Sequence, residues 1–337
     1  MGRIDRVLLS HGAGGRLMHD LIKGLFLKEL KNPFLSGLDD ASLLPVKGEE
    51  ILFTTDSYVV SPLFFPGGDI GRLSIYGTAN DIAVCGGRPL YISVGMIAEE
   101  GLEMDVLRRV AVSIKDACRT AGVSVVTGDF KVVEKGSCDK LFINTSGVGI
   151  KMKSVSLSLG RIKAGDKVII SGPIGQHGVS ILASREGLRL RSSVKSDCAP
   201  LTGLTAKIIG ASSGVRFMRD PTRGGLATTL NEFVDGRNFG ILIDEKSIPV
   251  LGGVMSACEL LGFDPLYMAN EGRVVVVISA EESVKVLRAM RRDRLGKDAA
   301  IIGEITPDYK GKVCLKTKAG GLRLLRMLTG EQLPRIC

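Results

Sequence analysis

Two hydrophobic periods alternate along the chain, one helical and one of extended strands. Apolar residues at 17, 21, 22 and 25 follow the glycine-rich stretch His11-Gly12-Ala13-Gly14-Gly15 and predict an amphipathic helix. Residues 50–60, 91–97 and 140–150 read as strands, and 123–126 as a buried strand. Residues 70–83 have helical spacing, stopped by Gly86-Gly87-Arg88-Pro89, and 103–121 form a helix with apolar positions at 106, 107, 110, 114, 117 and 121. Near 151–166 the composition shifts to Lys, Ser and Gly, which marks a domain boundary. Beyond it, strands at 167–172, 239–244, 274–279 and 300–305 alternate with helices at 202–212, 226–233, 256–261 and 283–292. The expectation is an α/β (α+β) protein of two domains, each with its own core.

Composition narrows the class. With 45% hydrophobic and 24% charged residues, the 337-residue chain is an ordinary globular protein. No leader-like or membrane-spanning run is present, which predicts a cytoplasmic protein with no membrane partner. Seven scattered cysteines, none in a C-x-x-C pair, indicate neither a disulfide framework nor a zinc knuckle. The net charge of +9 would suit nucleic acid, but the densest basic cluster, 288–294, ends a helix that starts with Glu281-Glu282, the order a helix dipole favours. Aromatic residues are 5% of the chain and Trp is absent, so no nucleic-acid partner is expected; the charge suits an anionic nucleotide or an acidic partner.

Candidate chemistry sits at element ends. Asp40, Asp56, Asp81 and Asp129 recur there, Asp81 beside Asn80. Singly each is a cap or turn residue; converging, they would form a hard-cation site suited to Mg²⁺ with a nucleotide. Arg219-Asp220-Pro221-Thr222-Arg223-Gly224-Gly225 precedes a helix, so its amides and Arg223 suit phosphate and Asp220 a metal ion, or it is a capped helix start. In Asn270-Glu271-Gly272-Arg273, Glu271 lies between a loop and a buried strand, where desolvation would make it a general base, or it is a turn carboxylate paired with Arg273. The glycines at 12, 14 and 15 leave backbone amides for an anion, without a Walker sequence after them. The last residues, Leu333-Pro334-Arg335-Ile336-Cys337, read as an extended, non-helical tail. Seven residues after Gly330 would carry the sulfur about 25 Å. Arg335 would lower the thiol pKa and a terminal carboxylate raise it; an incidental cysteine on a frayed end is the alternative.

Taken in order, the glycine-rich start, Asp-Asp-Ala, Thr-Thr-Asp-Ser, Asn-Asp-Ile-Ala, Thr-Gly-Asp, Asp-Pro-Thr-Arg-Gly-Gly, Asn-Glu-Gly and Pro-Arg-Ile-Cys resemble the HypE family of carbamoyl dehydratases. That family lies in the ATP-binding superfamily of aminoimidazole ribonucleotide synthetase, selenophosphate synthetase and thiamine-monophosphate kinase. The resemblance implies a two-domain PurM-like fold, with an N-terminal sheet that pairs in a dimer barrel and a C-terminal mixed sheet flanked by helices. On this reading residues 1–42 are a glycine-rich segment, 43–155 the ATP-binding, dimerising domain, 156–328 the second domain and 329–337 a mobile tail. It further implies ATP and Mg²⁺, with Asp40, Asp56, Asp81, Asp129 and Asp220 as the Mg²⁺-ATP carboxylates, and the 12–15 loop as phosphate cover. Asn80, Arg223 and Asn270 join the nucleotide-binding set. Cys337 would accept a carbamoyl group from the transferase HypF, Lys131 and Glu271 would act on the thiocarbamate, and the HypC–HypD complex would take the product. Phe130 departs from the small polar residue usual beside Asp129 and Lys131, and Ser42 from a second alanine. Another ATP-using enzyme of the superfamily, whose selenophosphate synthetases carry a cysteine in the glycine-rich loop, or a non-enzymatic thiol adaptor are the alternatives; the first cysteine here is Cys85.

Overall fold

The computed structural model describes residues 15–26, 29, 38–153, 155–185, 193–330 and 335–337. Helix α1 (Arg16–Leu21) runs into a π-helical turn over Ile22–Phe26. The first domain carries β1 (Ser42–Val46), β2 (Glu49–Tyr58), a short hairpin of β3 (Phe64–Phe65) and β4 (Gly68–Asp69), α2 (Ile70–Val84), β5 (Gly87–Glu99), α3 (Met104–Ala121), β6 (Ser124–Val133) and β7 (Leu141–Lys151). Its sheet has the order β1-β2-β7-β5-β6, antiparallel except for the parallel β5–β6 pair.

Helix α2 lies against one face of that sheet and is buried on nearly every side, which is why its sequence is small and apolar throughout rather than striped. Asp69 caps it, accepting from Gly71 N (2.9 Å) and Arg72 N (3.0 Å). Helix α3 keeps the expected stripe, burying Val110, Ile114, Ala117 and Ala121, and stops at Gly122 in the left-handed region (φ 72°). The expectation of a buried strand at 123–126 is corrected. The strand is longer, forms the sheet edge, and is exposed along nearly all its length: Val126 is 60% exposed and Val132 59%. Its β-branched residues therefore lie at the surface rather than in a core.

The second domain contains β8 (Lys167–Ile170), α4 (Gln176–Ala183), α5 (Thr202–Ala211), β9 (Val215–Arg219), α6 (Gly225–Val234), β10 (Gly240–Asp244), α7 (Gly252–Leu261), β11 (Val275–Ile278), α8 (Ala280–Arg291), β12 (Ala300–Thr306), β13 (Val313–Lys316) and β14 (Leu322–Leu325). Its mixed sheet runs β14-β13-β10-β12-β8-β11-β9. Apolar cores cover both faces, one around Phe217, Leu230, Phe233 and Ile243, the other around Ile169, Leu204, Ile208 and Met290. Because both faces are covered, β11 reads Val-Val-Val-Ile without polar alternation.

The domains meet across α2. Asn80, 1% exposed, accepts from Leu201 N (2.7 Å) and donates to Ala199 O (3.1 Å). Pro66 O accepts from Ser196 N and the Ser180 hydroxyl, both at 2.8 Å.

Candidate functional site

Between the domains a set of acids is held on separate elements. Asp56 points from β2 toward α2, accepting from the Tyr58 hydroxyl (3.1 Å), and Asp81 on α2 accepts from the Thr54 hydroxyl (2.8 Å). Asp220 follows β9, and Asp40, just before β1, is met by Arg219 Nε at 3.0 Å. Arg219 also donates to Glu232 (2.7 Å) and to Leu38 O (2.9 Å), and His19 on α1 reaches the same Glu232 at 3.0 Å. Asp40, Asp220, Arg219, Glu232 and His19, with Thr222 and Arg223, line a cavity of about 200 Å³.

The acids share one field. Burial raises the Asp81 pKa well above the carboxylate range, and Asp56, Asp220 and Asp40 add to it. Asp220 is pushed up to about 8, by burial first and then by Asp40 and Asp56. Burial also raises Asp40, against the pull of Arg219. Mutual elevation of this kind means unbalanced, desolvated negative charge, which a cation relieves.

The glycines before α6 bring Glu271 alongside. Gly225 (φ 61°) could not take a side chain, because a Cβ there would lie 2.6 Å from Met268 O. That approach presses the uncapped start of α6 against residues 266–268, which lead into Glu271. Asp197 then holds Glu271 N (3.2 Å) and Gly272 N (3.3 Å). Glu271 is 4% exposed and its pKa stands well above the ordinary range, through burial first and then Asp220, Asp197 and Asp56, with Arg223 opposing.

The tail is docked in this site. Val59 N donates to Cys337 O (3.1 Å), Ser61 N to Arg335 O (3.2 Å), and Arg335 Nε to Val59 O (2.9 Å), while Arg335 pairs with Asp139. Ile336 is buried in the first domain's core, a gain of about 2 kcal/mol for such a side chain. Fully buried His177 grips Ile336 O at 2.7 Å through Nε2, its Nδ1 facing the Ser196 hydroxyl at 2.8 Å. Burial lowers the His177 pKa, so the neutral ring donates to the tail and accepts from Ser196. Burial pushes the Cys337 thiol up to about 12, with Arg223 opposing and Glu271 and Asp56 adding to the rise. Its pairing with Cys337 is the largest influence raising the Arg223 pKa. His177→Leu is expected to speed alkylation of Cys337 about tenfold, read by peptide mass spectrometry, while His177→Gln keeps a donor and most of the protection. Equal rates in both variants and the parent would deny the histidine a hold on the tail.

The structure thus gathers Asp40, Asp56, Asp81, Asp220, Arg223, Glu271 and Cys337. Asp129 and Lys131 stand apart within one chain. The rows Asp56–Thr145–Val94–Gly128 and Ser57–Asn144–Gly95–Asp129 place Asp129 on the sheet face opposite Asp56, and there Lys131 pairs with it at 3.1 Å, both side chains exposed. Among the described residues no three carboxylate, histidine or cysteine groups converge to hold a metal ion unaided, so an ion held here would need phosphate or water oxygens as well. Asp129 faces away and Asp40 is turned to Arg219. The Asn80 and Asn270 side-chain amides both bond backbone groups of the chain. Asn270 accepts from Gly175 N (2.8 Å) and donates to Pro221 O (2.8 Å) and Met268 O (3.2 Å). Gly12 and Gly14 lie outside the described residues; Gly15 is buried, with room only for hydrogen beside Leu328 O. Arg219, Asp197 and His177 had no role assigned from sequence. Arg219 stood inside a motif already singled out, whereas nothing in Gln176-His177-Gly178 announces a tail contact.

Comparison with known proteins follows the same outline. Residues 38–151 match the N-terminal domain, and 163–316 the C-terminal domain, of the AIR synthase related proteins. The carbamoyl dehydratase HypE of Bradyrhizobium diazoefficiens is 49% identical over 98% of the chain and 95% of that protein. That of Escherichia coli is 44% identical over 99% of the chain and the whole of its own length. A crystal structure of the hydrogenase maturation protein HypE in complex with ATP superposes with a TM-score of 0.82, at 45% identity, over 98% of this chain and 100% of that one. The HypE–HypF complex gives 0.87 at 42% identity, over 91% and 99%. Thiamine monophosphate kinase from Aquifex aeolicus, at 18% identity over 93% of this chain and 99% of its own, shares the fold with a TM-score of 0.64.

Proposed function

The chain belongs to the HypE family of carbamoyl dehydratases, and from that membership we propose that it dehydrates an S-carbamoyl group on Cys337 to a thiocyanate, using ATP. The product would supply cyanide ligands for [NiFe]-hydrogenase iron centres. The observation that carries this reading is the docking of Cys337 beside Arg223, Glu271 and Asp56, in the cleft where the acids meet.

The carbamoyl oxygen takes the γ-phosphoryl group of ATP and ADP leaves; the C–O bond then breaks, phosphate departs with that oxygen, and two N–H protons are lost as the nitrile forms. Arg223 and the uncapped amides of α6 suit the phosphates. Glu271, strongly basic for a carboxylate and held by Asp197, suits proton removal from nitrogen. Asp40, Asp81 and Asp220 fit Mg²⁺, which binds through one or two carboxylates plus phosphate oxygens and water. When bound, the ion offsets charge on the transferring phosphoryl group.

Asp129 and Lys131 enter this scheme through dimerisation. They sit on β6, whose long exposed edge suits pairing with a second copy, on the sheet face left uncovered by α2 and α3. The homodimer barrel would cover that face and bring Lys131 to charge it can offset. Val126→Lys with Val132→Lys is expected to halve the particle mass at micromolar concentration, measured by light scattering, with the fold retained. An unchanged mass would remove β6 from the interface.

HypF would donate the carbamoyl group and HypC–HypD accept the cyanide, in the cytoplasm; among the described residues no helix is long and apolar enough to cross a membrane. The deciding experiment is the intact mass of the protein with HypF, carbamoyl phosphate and ATP. Gain of one carbamoyl followed by loss of the elements of one water supports the reading. A carbamoylated chain that never loses water despite ATP hydrolysis overturns it.

A further inference from the structure

A second cavity, about 560 Å³, opens between the domains and shares no lining residue with the acidic cleft. Arg72 from α2 meets Arg273, Arg294 and Lys297 of the second domain there. The acids on its wall do not balance them. Asp197 is committed to Glu271 N, Gly272 N and Arg273 (3.5 Å), and Asp298 faces only Lys297, at 3.9 Å.

Arg72 is the telling residue. Its Nε is shielded from solvent and has no hydrogen-bond partner, and among the described residues no carboxylate pairs with its guanidinium. The nearest acid in sequence, Asp69, is occupied by the helix cap and by the Ser113 hydroxyl at 2.7 Å. Arg294 likewise has no carboxylate partner among the described residues. A shielded guanidinium N–H left without a partner costs more than the net value of an ordinary hydrogen bond, and a fork of N–H donors is matched well by a tetrahedral oxyanion. The volume is that of a small-molecule site rather than of a lone ion.

We propose that this cavity binds the phosphate group of a small molecule, with Arg72 and Arg294 as its principal donors. It is separate from the nucleotide cleft, yet Asp197 and Arg273 join its wall to the loop that carries Glu271.

The test uses the full chain, with the acidic cleft filled by Mg²⁺ and a non-hydrolysable ATP analogue. Inorganic phosphate, glycerol 3-phosphate and ADP are titrated separately by calorimetry. At least one is expected to bind with a Kd of about 1 mM or tighter. Arg72→Met and Arg294→Ala should each weaken that binding about tenfold or more, with affinity for the ATP analogue unchanged. Binding of ADP alone would identify a nucleotide as the source of the phosphate; binding of either simpler probe would identify a smaller metabolite or phosphate itself. Because Arg294 lies on the surface, its variant keeps the test valid if Arg72→Met fails to fold. The proposal is overturned if none of the probes binds, or if both folded variants bind as the parent does.

Discussion

Cys337→Ala is expected to reduce thiocyanate formation to background while the affinity for ATP changes by no more than about twofold. The sulfur is the atom to which the reacting group is attached, so no neighbour can replace it. Nucleotide affinity persists because the acids, Arg219 and the start of α6 are held by bonds that do not involve the tail. Arg223 and Asp56 also face the sulfur, and losing its influence on them is a small perturbation. Equilibrium dialysis with ATP and a mass readout of the tail check both halves; loss of ATP binding would mean that the tail builds the cleft rather than visits it. A thiol pushed up to about 12 is also a poor nucleophile in place. Carbamoylation is therefore expected on an undocked tail, and the docked thiol should resist alkylation.

Glu271→Gln is the second large effect. Single-turnover dehydration of the carbamoylated chain is expected to fall about 10²- to 10⁴-fold, with Mg²⁺-ATP binding retained. The amide keeps the shape and the backbone bonds to Asp197, so the loop stays in place. Folding should not suffer, since the substitution removes a charge that burial and three neighbouring acids already disfavour. A normal single-turnover rate would assign the proton to another base.

Much of this was legible from residue patterns, for identifiable reasons. The stripe of α3 and the uniform apolarity of β11 each reflect a single burial environment, so periodicity read them correctly. The motif Arg219 to Gly225 announced a polar loop entering a helix, and Glu271 a carboxylate against a buried strand. What escaped depends on contacts distant in sequence. The exposure of β6 follows from its place at the sheet edge, which its run of valines cannot reveal. Asp129 matches the other acids in type and position, but sheet register sets it on the opposite face. Asn80 sits beside Asp81, yet its amide bonds residues some 120 positions later. The approach of Cys337 to Arg223 is likewise a contact between residues distant in sequence.

The bonds made by Asn80 have a wider consequence. Prising the two halves apart would strip a buried amide of both partners, costing about 1–3 kcal/mol for each atom left bare. The contact therefore favours one placement of the two halves, an outline that a protein collecting the finished group could recognise.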